Sequence, residues 1–220
     1  MAQSLKLQKH ISFQANLVCK SGLRIGGQES EIGIGSAENP VIKDALGRPY
    51  LPGSSLKGKL RSMLEYKFKR VGFEGAPCGC GLEFNVCPVC TIFGPHKNNR
   101  HSLGPSRLIL RDAFLTDKSM QDWEAARSEG KDFTEIKMET SIDRRTGMAA
   151  NRSLRQQERV NPGTAFRLNM SLRVFEGDDE KKMVDTILDG LKLLANDTLG
   201  GSGTRGYGWV EIKDIEVKDL

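Results

Sequence analysis

The sequence predicts an α+β protein with a ferredoxin-like (RRM-like) βαββαβ core and two insertions. Apolar and polar residues alternate along 11–17 and along 166–174, as they do in strands that have one buried face. Apolar residues recur at helical spacing downstream of each of these strands. Two other stretches, 71–106 and 115–162, are rich in glycine, proline, cysteine or charge instead. Removing them leaves the order strand, helix, strand, strand, helix, strand.

The first strand, Leu7–Leu17, is followed by a glycine-rich loop over 22–39. A loop of this length inside a compact domain is usually functional or disordered. After the loop, Val41 starts a short hairpin that leads into a helix. We therefore treat the loop as a candidate functional segment.

The first helix is predicted within 51–68, with a Pro-Gly turn ahead of it and a serine as its N-cap. Its predicted buried stripe consists of Leu56, Leu60, Met63 and Leu64. A helix start offers free backbone N–H groups, and hydroxyls and cations beside them favour a bound phosphate. The candidate RNA-binding residues here are Ser54, Ser55, Lys57, Lys59 and Arg61. The alternative is an ordinary solvated helix face.

A further strand is predicted over 107–114, just before the second insertion. Within that insertion, 134–142 and 154–160 can pair as a hairpin around a turn that carries Arg144 and Arg145. A projecting basic hairpin is suited to binding a single nucleic-acid strand or a heteroduplex. The alternative is a solvated, charged loop.

The second helix is predicted around 183–194, and a glycine-rich loop joins it to a last strand at 207–217. Glycines let a phosphate backbone approach, an arginine supplies charge, and a tyrosine can stack on a base. The candidate RNA-binding residues here are Gly201, Ser202, Gly203, Thr204, Arg205 and Tyr207. The alternative is a helix C-cap followed by a flexible turn. No Gly-Lys-Ser/Thr follows, so nucleotide hydrolysis at a P-loop is disfavoured.

Composition limits the class of protein and its partners. The 220 residues carry a formal net charge of +5, which fits one large domain over 1–220 and favours a polyanionic partner. The apolar stretches are short and interrupted by charge, so we expect no transmembrane helix, no signal peptide and no membrane partner. These features predict a cytoplasmic protein.

Four of the five cysteines lie close together in the first insertion. In a cytosolic chain such a cluster indicates metal binding rather than disulfides. The C-x-x-C spacing of Cys87 and Cys90 lets both thiolates reach one ion, which predicts a tetrahedral, structural zinc site. The predicted ligands are Cys78, Cys80, Cys87 and Cys90. Two alternatives stay open: His96 replaces one of the first two cysteines, or the thiols hold no metal.

Four stretches together carry a resemblance to a known family. They are LPGSSLKGKLRSMLE in the first helix, CPVCTIFG at the end of the cysteine run, IDRRTGMA in the second insertion and GGSGTRGYGWVEI near the C-terminus. The chain resembles the RAMP superfamily and, more narrowly, the repeated backbone subunit of the type III-A CRISPR Csm effector complex. The stretches occur in the family's order and span nearly the whole chain.

The resemblance implies a ferredoxin-like palm that polymerises, copy after copy, along a CRISPR guide RNA beside other Csm subunits. The first helix and the glycine-rich loop before the last strand would hold the phosphates of the guide. The basic hairpin would act as a thumb wedged into the duplex of guide and target RNA. The resemblance also implies that each copy cuts the target RNA at regular intervals, with Mg²⁺ or Mn²⁺ from solution, through an aspartate in the loop after the first strand.

This chain departs from the family pattern at that aspartate. Where the family typically has Ile-Asp-Ser-Pro-Val, residues 37–41 read Ala-Glu-Asn-Pro-Val. Glu38, the candidate catalytic residue, keeps the charge but is longer, and a displacement of about 1 Å can cost roughly a hundredfold in rate. The alternative is a scaffold that holds guide RNA without cutting, in which Glu38 is a solvated loop acid. Processing of the guide precursor is disfavoured, because no histidine has an evident acid–base partner.

Overall fold

The computed structural model describes residues 5–26 and 39–220, and over these residues the chain is a mixed α/β protein with antiparallel sheets. The strands are β1 (Leu7–Cys19), β2 (Leu108–Leu110), β3 (Phe114–Leu115), β4 (Thr134–Glu139), β5 (Arg155–Val160), β6 (Ala165–Phe175) and β7 (Val210–Asp219). The helices are α1 (Gly53–Lys67), α2 (Pro88–Phe93), α3 (Asp117–Ser128) and α4 (Glu180–Ala195). None of the helices in these ranges is long and apolar enough to cross a membrane.

The main sheet is built around β1. Its strand order is β2-β6-β1-β7, with β3 also paired to β6, and every pairing is antiparallel. The predicted alternation is confirmed, since Ile11, Phe13 and Leu17 are buried whereas Gln14 between them is exposed. β7 forms one outer edge of the sheet.

Helices α1 and α4 pack on each other and share one hydrophobic core with the sheet. Leu56, Leu60 and Leu64 of α1 are buried as predicted, whereas Met63 is partly exposed. Gly190 of α4 allows the close approach of the two helices, because a Cβ atom there would lie 3.3 Å from Leu64 Cδ1. This packing fixes the position of α1 against the sheet.

The start of α1 differs from the predicted serine N-cap. The helix begins at Gly53 with Pro52 as its N-cap, and Asp112 Oδ1 accepts the Gly53 N–H at 2.7 Å. An aspartate 59 residues further along the chain therefore supplies the acceptor that a serine hydroxyl was expected to supply. Its carboxylate also lies at the positive end of the helix dipole. Ser54 and Ser55 consequently lie inside the first turn.

The second strand of the predicted core is shorter than expected. Of the stretch 107–114, only β2 and the first residue of β3 belong to named strands. The stretch 115–162, which the sequence predicts to be an insertion, contains α3, which its composition did not indicate. The hairpin predicted in that insertion is confirmed, because β4 and β5 pair along their whole length.

Candidate nucleic-acid interface and metal site

The four cysteines of the first insertion come together in space. The Sγ atoms of Cys78 and Cys87 are 3.8 Å apart, and those of Cys80 and Cys90 are 3.6 Å apart. All four sulfurs lie within 4.8 Å of one another. A tetrahedral zinc ion with Zn–S bonds of about 2.3 Å keeps its sulfurs about 3.8 Å apart. The cluster therefore has the dimensions of a zinc–tetrathiolate site.

The chemistry of the cluster also fits a cation. Burial raises the pKa of the Cys90 thiol to about 11 and also raises the pKa of Cys87. Cys87 and Cys90 therefore stay protonated at neutral pH unless a cation between the sulfurs displaces their protons. Among the described residues, the group that can hold an ion consists of the four cysteines and does not include His96. His96 contacts the cysteine loop through its backbone, since its N–H donates to Cys78 O at 3.0 Å.

A buried ion pair attaches the cysteine loop to α1. Arg61 Nε lies 2.8 Å from Glu65 Oε1, and the same oxygen accepts the Cys78 N–H at 2.8 Å. Arg61 Nη2 also donates to Cys78 O at 2.6 Å. The Arg61 side chain is only 15% exposed, so it does not fit the predicted role of a phosphate ligand. Arg61 instead joins the cysteine loop to the helix.

The two lysines of α1 differ in their availability for a phosphate. Lys57 is partly buried, and its Nζ makes a long contact of 3.4 Å with Leu108 O. Burial, together with positively charged neighbours, lowers the pKa of Lys57, so a bound anion would stabilise its charged form. Lys59 Nζ instead lies 3.1 Å from Asp197 Oδ2. Lys57 is therefore the better placed phosphate ligand of the two.

The glycine-rich loop after α4 is shaped by close backbone packing. Gly200 and Gly208 have positive φ angles of 79° and 70°. A Cβ atom at Gly200 would lie 2.1 Å from Arg24 O, and one at Gly208 would lie 1.9 Å from Leu199 O. The backbone therefore requires these two glycines whichever ligand the loop binds. Between them the chain exposes Gly201, Thr204 and Arg205 and partly exposes Ser202 and Gly203.

Tyr207 is fully buried, so it does not fit the predicted role of a stacking platform for a base. Its hydroxyl donates to Glu139 Oε1 at 2.7 Å, and burial, followed by this carboxylate, raises the pKa of Tyr207 to about 12. Its ring lies beneath Lys137 Nζ at 4.7 Å and the Arg159 guanidinium at 5.0 Å. Arg205 Nε lies 3.4 Å from Glu139 Oε2. Tyr207 thus joins the glycine-rich loop to the β4–β5 hairpin.

The turn of the β4–β5 hairpin presents two arginines to solvent. Arg144 and Arg145 are both exposed. Arg144 Nη1 donates to the carbonyl of Ile142 at 2.6 Å, and the Arg145 backbone N–H donates to Asp143 Oδ1 at 2.8 Å. Within the part of the chain that the structure describes, neither guanidinium forms an ion pair. Both charges are therefore available to a polyanion.

Glu38, the candidate catalytic residue, lies outside the described residues. The chain is described again from Asn39, whose carbonyl accepts the Glu158 N–H at 3.1 Å. Asn39 Oδ1 accepts from Arg24 Nη2 at 2.9 Å, and Asn39 Nδ2 donates to Gln156 O at 3.3 Å. The residue next to Glu38 is therefore fixed both to β5 and to Arg24.

Sequence reasoning did not single out Arg24 or Glu158. In the sequence, Arg24 is one of several charged residues of a loop. Glu158 lies in the polar stretch RQQERV, in which apolar and polar residues do not alternate. Two of the hydrogen-bond partners of Glu158, Val41 and Lys43, are more than 100 residues away in the chain. Only the tertiary structure brings these groups together.

The sequence of the chain is similar to those of proteins from one family. The profile of the RAMP superfamily matches residues 16–211. A protein of Methanothermobacter thermautotrophicus named "CRISPR system Cms endoribonuclease Csm3" is 38% identical to the chain, and the match covers 98% of this chain and 88% of the relative. A protein of Methanocaldococcus jannaschii with the same name is 36% identical, with 98% of this chain and 83% of the relative covered.

A solved structure is similar over the same extent. It is described as the crystal structure of the Csm3–Csm4 subcomplex in the type III-A CRISPR-Cas interference complex. Its matching chain is 28% identical, with a TM-score of 0.61 and coverage of 97% of this chain and 81% of that one. The similarity thus extends across the stretches 71–106 and 115–162 as well as the sheet.

Proposed function

The chain belongs to the RAMP superfamily, and on this premise we propose that it is the RNA-binding backbone subunit of a type III CRISPR effector complex and cleaves complementary target RNA. The observation that carries the proposal is the similarity, over nearly the whole chain, to relatives named as Csm3 endoribonucleases. In this role, copies of the chain line up on a guide RNA in the cytoplasm beside other Csm subunits.

We infer that 1–220 is one domain with a ferredoxin-like core. The sheet order β7-β1-β6-β2, with α1 and α4 on one face, supports this inference, because a βαββαβ chain gives that order. The stretches 71–106 and 115–162 are then insertions that carry the zinc site and the thumb. Since the fold alone hosts many functions, the RNA-binding role depends on the residues of the site.

Phosphates of the guide are the proposed ligands of the α1 start and the glycine-rich loop. A guide varies in sequence while its backbone does not, so contacts to phosphate suit this role better than contacts to bases. The proposed contacts are Ser54, Ser55, Lys57, Lys59, Gly201, Ser202, Gly203, Thr204 and Arg205. Arg61 and Tyr207 support these two segments from beneath. Arg144 and Arg145 on the hairpin turn would face the duplex of guide and target.

Replacing Lys57 with glutamine should weaken RNA binding by a similar factor for unrelated RNA sequences. The reason is that Lys57 would neutralise a phosphate, so the slope of log affinity against log salt should fall by about 0.7. Binding of labelled single-stranded RNAs, measured at several salt concentrations, tests this. Lys118→Gln on α3 is the control, since Lys118 is exposed and pairs only loosely, at 3.8 Å, with Asp122. A loss that depended on base sequence would contradict the phosphate contact.

Cleavage of the target is assigned to Glu38. Its carboxylate would hold Mg²⁺ or Mn²⁺, which neutralises charge that develops on the phosphate, or would take the proton of the target's 2′-hydroxyl. A carboxylate oxygen is a suitable donor for either ion. The second candidate function, a guide-binding scaffold that does not cut, is favoured by the replacement of the family's aspartate with this longer residue.

The assembled complex distinguishes the two functions. Incubated with a complementary RNA and Mg²⁺ or Mn²⁺, a complex of cleaving subunits should give fragments whose ends are regularly spaced. A scaffold should bind the same RNA and leave it intact. Regular fragments that depend on added divalent metal support the nuclease, and intact RNA in a fully bound complex overturns it.

A further inference from the structure

The two strands of the β4–β5 hairpin are attached to the rest of the chain differently. β5 is held through its backbone, because Val160 exchanges two hydrogen bonds with Leu23, at 3.1 and 2.8 Å. The Glu158 N–H also donates to Asn39 O at 3.1 Å. Within the described part of the chain, no backbone hydrogen bond joins β4 to a segment other than β5. A ribbon held along one edge can rotate about that edge, so side-chain contacts of β4 fix its angle.

Apolar packing does not supply those contacts. Ile136 and Met138 of β4 share one face of the hairpin and are 52% and 49% exposed. Lys137 and Glu139 lie on the opposite face, because successive side chains of a strand point to opposite sides. This charged face meets the glycine-rich loop after α4 at Tyr207.

Tyr207 contacts both strands of the hairpin. Its hydroxyl donates to Glu139 Oε1 at 2.7 Å. The centre of its ring lies 4.7 Å from Lys137 Nζ and 5.0 Å from Arg159 Cζ. Gly22 leaves room for Arg159, since a Cβ atom at Gly22 would lie 2.3 Å from Arg159 Cδ. Hydrogen bonds weaken steeply when they bend, so the bond to Glu139 restrains the angle of β4 as well as its distance from the loop.

The carboxylate of Glu139 also holds the arginine of the loop. Arg205 Nε lies 3.4 Å from Glu139 Oε2, and the Glu139 side chain is only 11% exposed. The hydrogen bond from Tyr207, followed by nearby positive charges, lowers the pKa of Glu139, so the group is charged at neutral pH. One carboxylate therefore joins Arg205, a proposed phosphate contact, to a hairpin whose turn exposes Arg144 and Arg145.

We propose that Glu139 and Tyr207 are positioning residues for RNA binding, whose hydrogen bond fixes the β4–β5 hairpin against the glycine-rich loop so that both segments meet one RNA in a single orientation. This inference rests on the proposed function. Neither residue touches RNA in this role, since Tyr207 is buried and the Glu139 carboxylate repels phosphate. A hairpin that is ordered before RNA arrives loses less conformational freedom on binding, which strengthens affinity without adding a contact.

The test is the variant Tyr207→Phe, which removes the hydroxyl and keeps the ring and every charge. We expect the full-length protein to bind a labelled guide strand annealed to its target roughly 5- to 10-fold more weakly. In the background Arg144→Gln/Arg145→Gln the same change should cost less than about twofold, because the charges that the contact positions are then absent. A merely structural role would give the same loss in both backgrounds. Melting curves give the folded fraction, and affinities are expressed per folded protein.

The variant Glu139→Ala separates positioning from simple electrostatics. A carboxylate repels RNA, so its removal would tighten binding if it had no positioning role. We expect weaker binding instead, and no further loss when Glu139→Ala is combined with Tyr207→Phe. Tyr66→Phe is the matched control, because Tyr66 is 64% exposed on α1 and lies outside the proposed RNA contacts. Its affinity should equal that of the unmodified protein.

A second measurement needs no RNA. A fluorophore introduced at Thr146, an exposed residue of the hairpin turn, reports the motion of the hairpin through its fluorescence anisotropy. The hairpin should move more freely in Tyr207→Phe than in the unmodified protein or in the Tyr66→Phe control, because the contact that restrains β4 is then lost.

The outcomes separate this inference from the proposed function. If the unmodified protein binds no RNA, the proposed function fails and the positioning role fails with it. If the unmodified protein binds RNA and Tyr207→Phe costs the same affinity with and without the two hairpin arginines, only the positioning role is overturned. Equal or tighter binding by Glu139→Ala overturns it as well, and so does unchanged anisotropy at Thr146, since the contact would then hold nothing in place.

Discussion

Replacing Glu38 with alanine is expected to abolish cleavage of complementary RNA by the assembled complex without changing its affinity for RNA. Removing a group that takes or directs a proton typically costs about 10²- to 10⁴-fold in rate. Affinity should be preserved, because the proposed RNA contacts lie elsewhere, on α1, on the glycine-rich loop after α4 and on the hairpin. The measurement is the rate of appearance of regularly spaced fragments, beside a filter-binding titration with the same RNA.

The conservative variant sharpens this prediction. Glu38→Asp restores the side chain that the family typically has, so it should cut at least as fast as the unmodified protein. Glu31→Ala removes another acid from the glycine-rich loop over 22–39, which also contains Glu38, and should leave the rate unchanged. If Glu38→Ala cut as fast as the unmodified protein, the catalytic assignment would be wrong and the scaffold function would be favoured.

Replacing Cys87 and Cys90 together with serine is expected to remove one equivalent of bound zinc and to unfold the first insertion locally. Structural zinc contributes on the order of 10 kcal/mol to folding in small zinc-binding peptides, so its loss should destabilise the fold around the cysteines. Elemental analysis reports the metal, and limited proteolysis reports the exposure of residues 71–106. Cys19→Ala is the control, because Cys19 is buried in β1 and is not one of the four clustered cysteines.

A specific pair of measurements would contradict the prediction that the four cysteines bind zinc. Reduced, freshly prepared protein that contains no zinc, and whose insertion resists protease as well as before, would mean that the thiols pack without an ion. The short Sγ–Sγ distances would then reflect close packing of thiols alone. Zinc that remained bound in the double variant would mean that other residues hold it.

The parts of the fold that the sequence could predict are those determined by neighbours along the chain. Alternation identified β1 and β6, and helical spacing identified the stripe of Leu56, Leu60 and Leu64. The cysteine cluster was also predictable, because its ligands lie within one short insertion and their side-chain chemistry is specific to metals.

Contacts between distant segments could not be predicted in the same way. The cap of α1 comes from Asp112, and Glu139, which binds Tyr207, lies 68 residues before it in the chain. From the sequence alone, Arg61 on a helix face and Tyr207 in a glycine-rich loop could each bind RNA or contact a buried residue of the same chain. Burial decides between these uses, and burial depends on the tertiary structure. The contact between Arg61 and Cys78 could not be predicted for the same reason.

The outer strand β7 has a consequence for how copies of the chain can meet. An unpaired strand edge is a template for adding another strand, and charge or irregularity along it opposes such addition. Charged side chains dominate β7: Glu211, Lys213, Asp214, Glu216, Lys218 and Asp219. Its pairing with β1 also shifts register beside Asp214, which has a positive φ of 53°. In the proposed assembly, where copies line up along one RNA, this edge would therefore oppose the joining of neighbouring copies into a continuous intermolecular sheet.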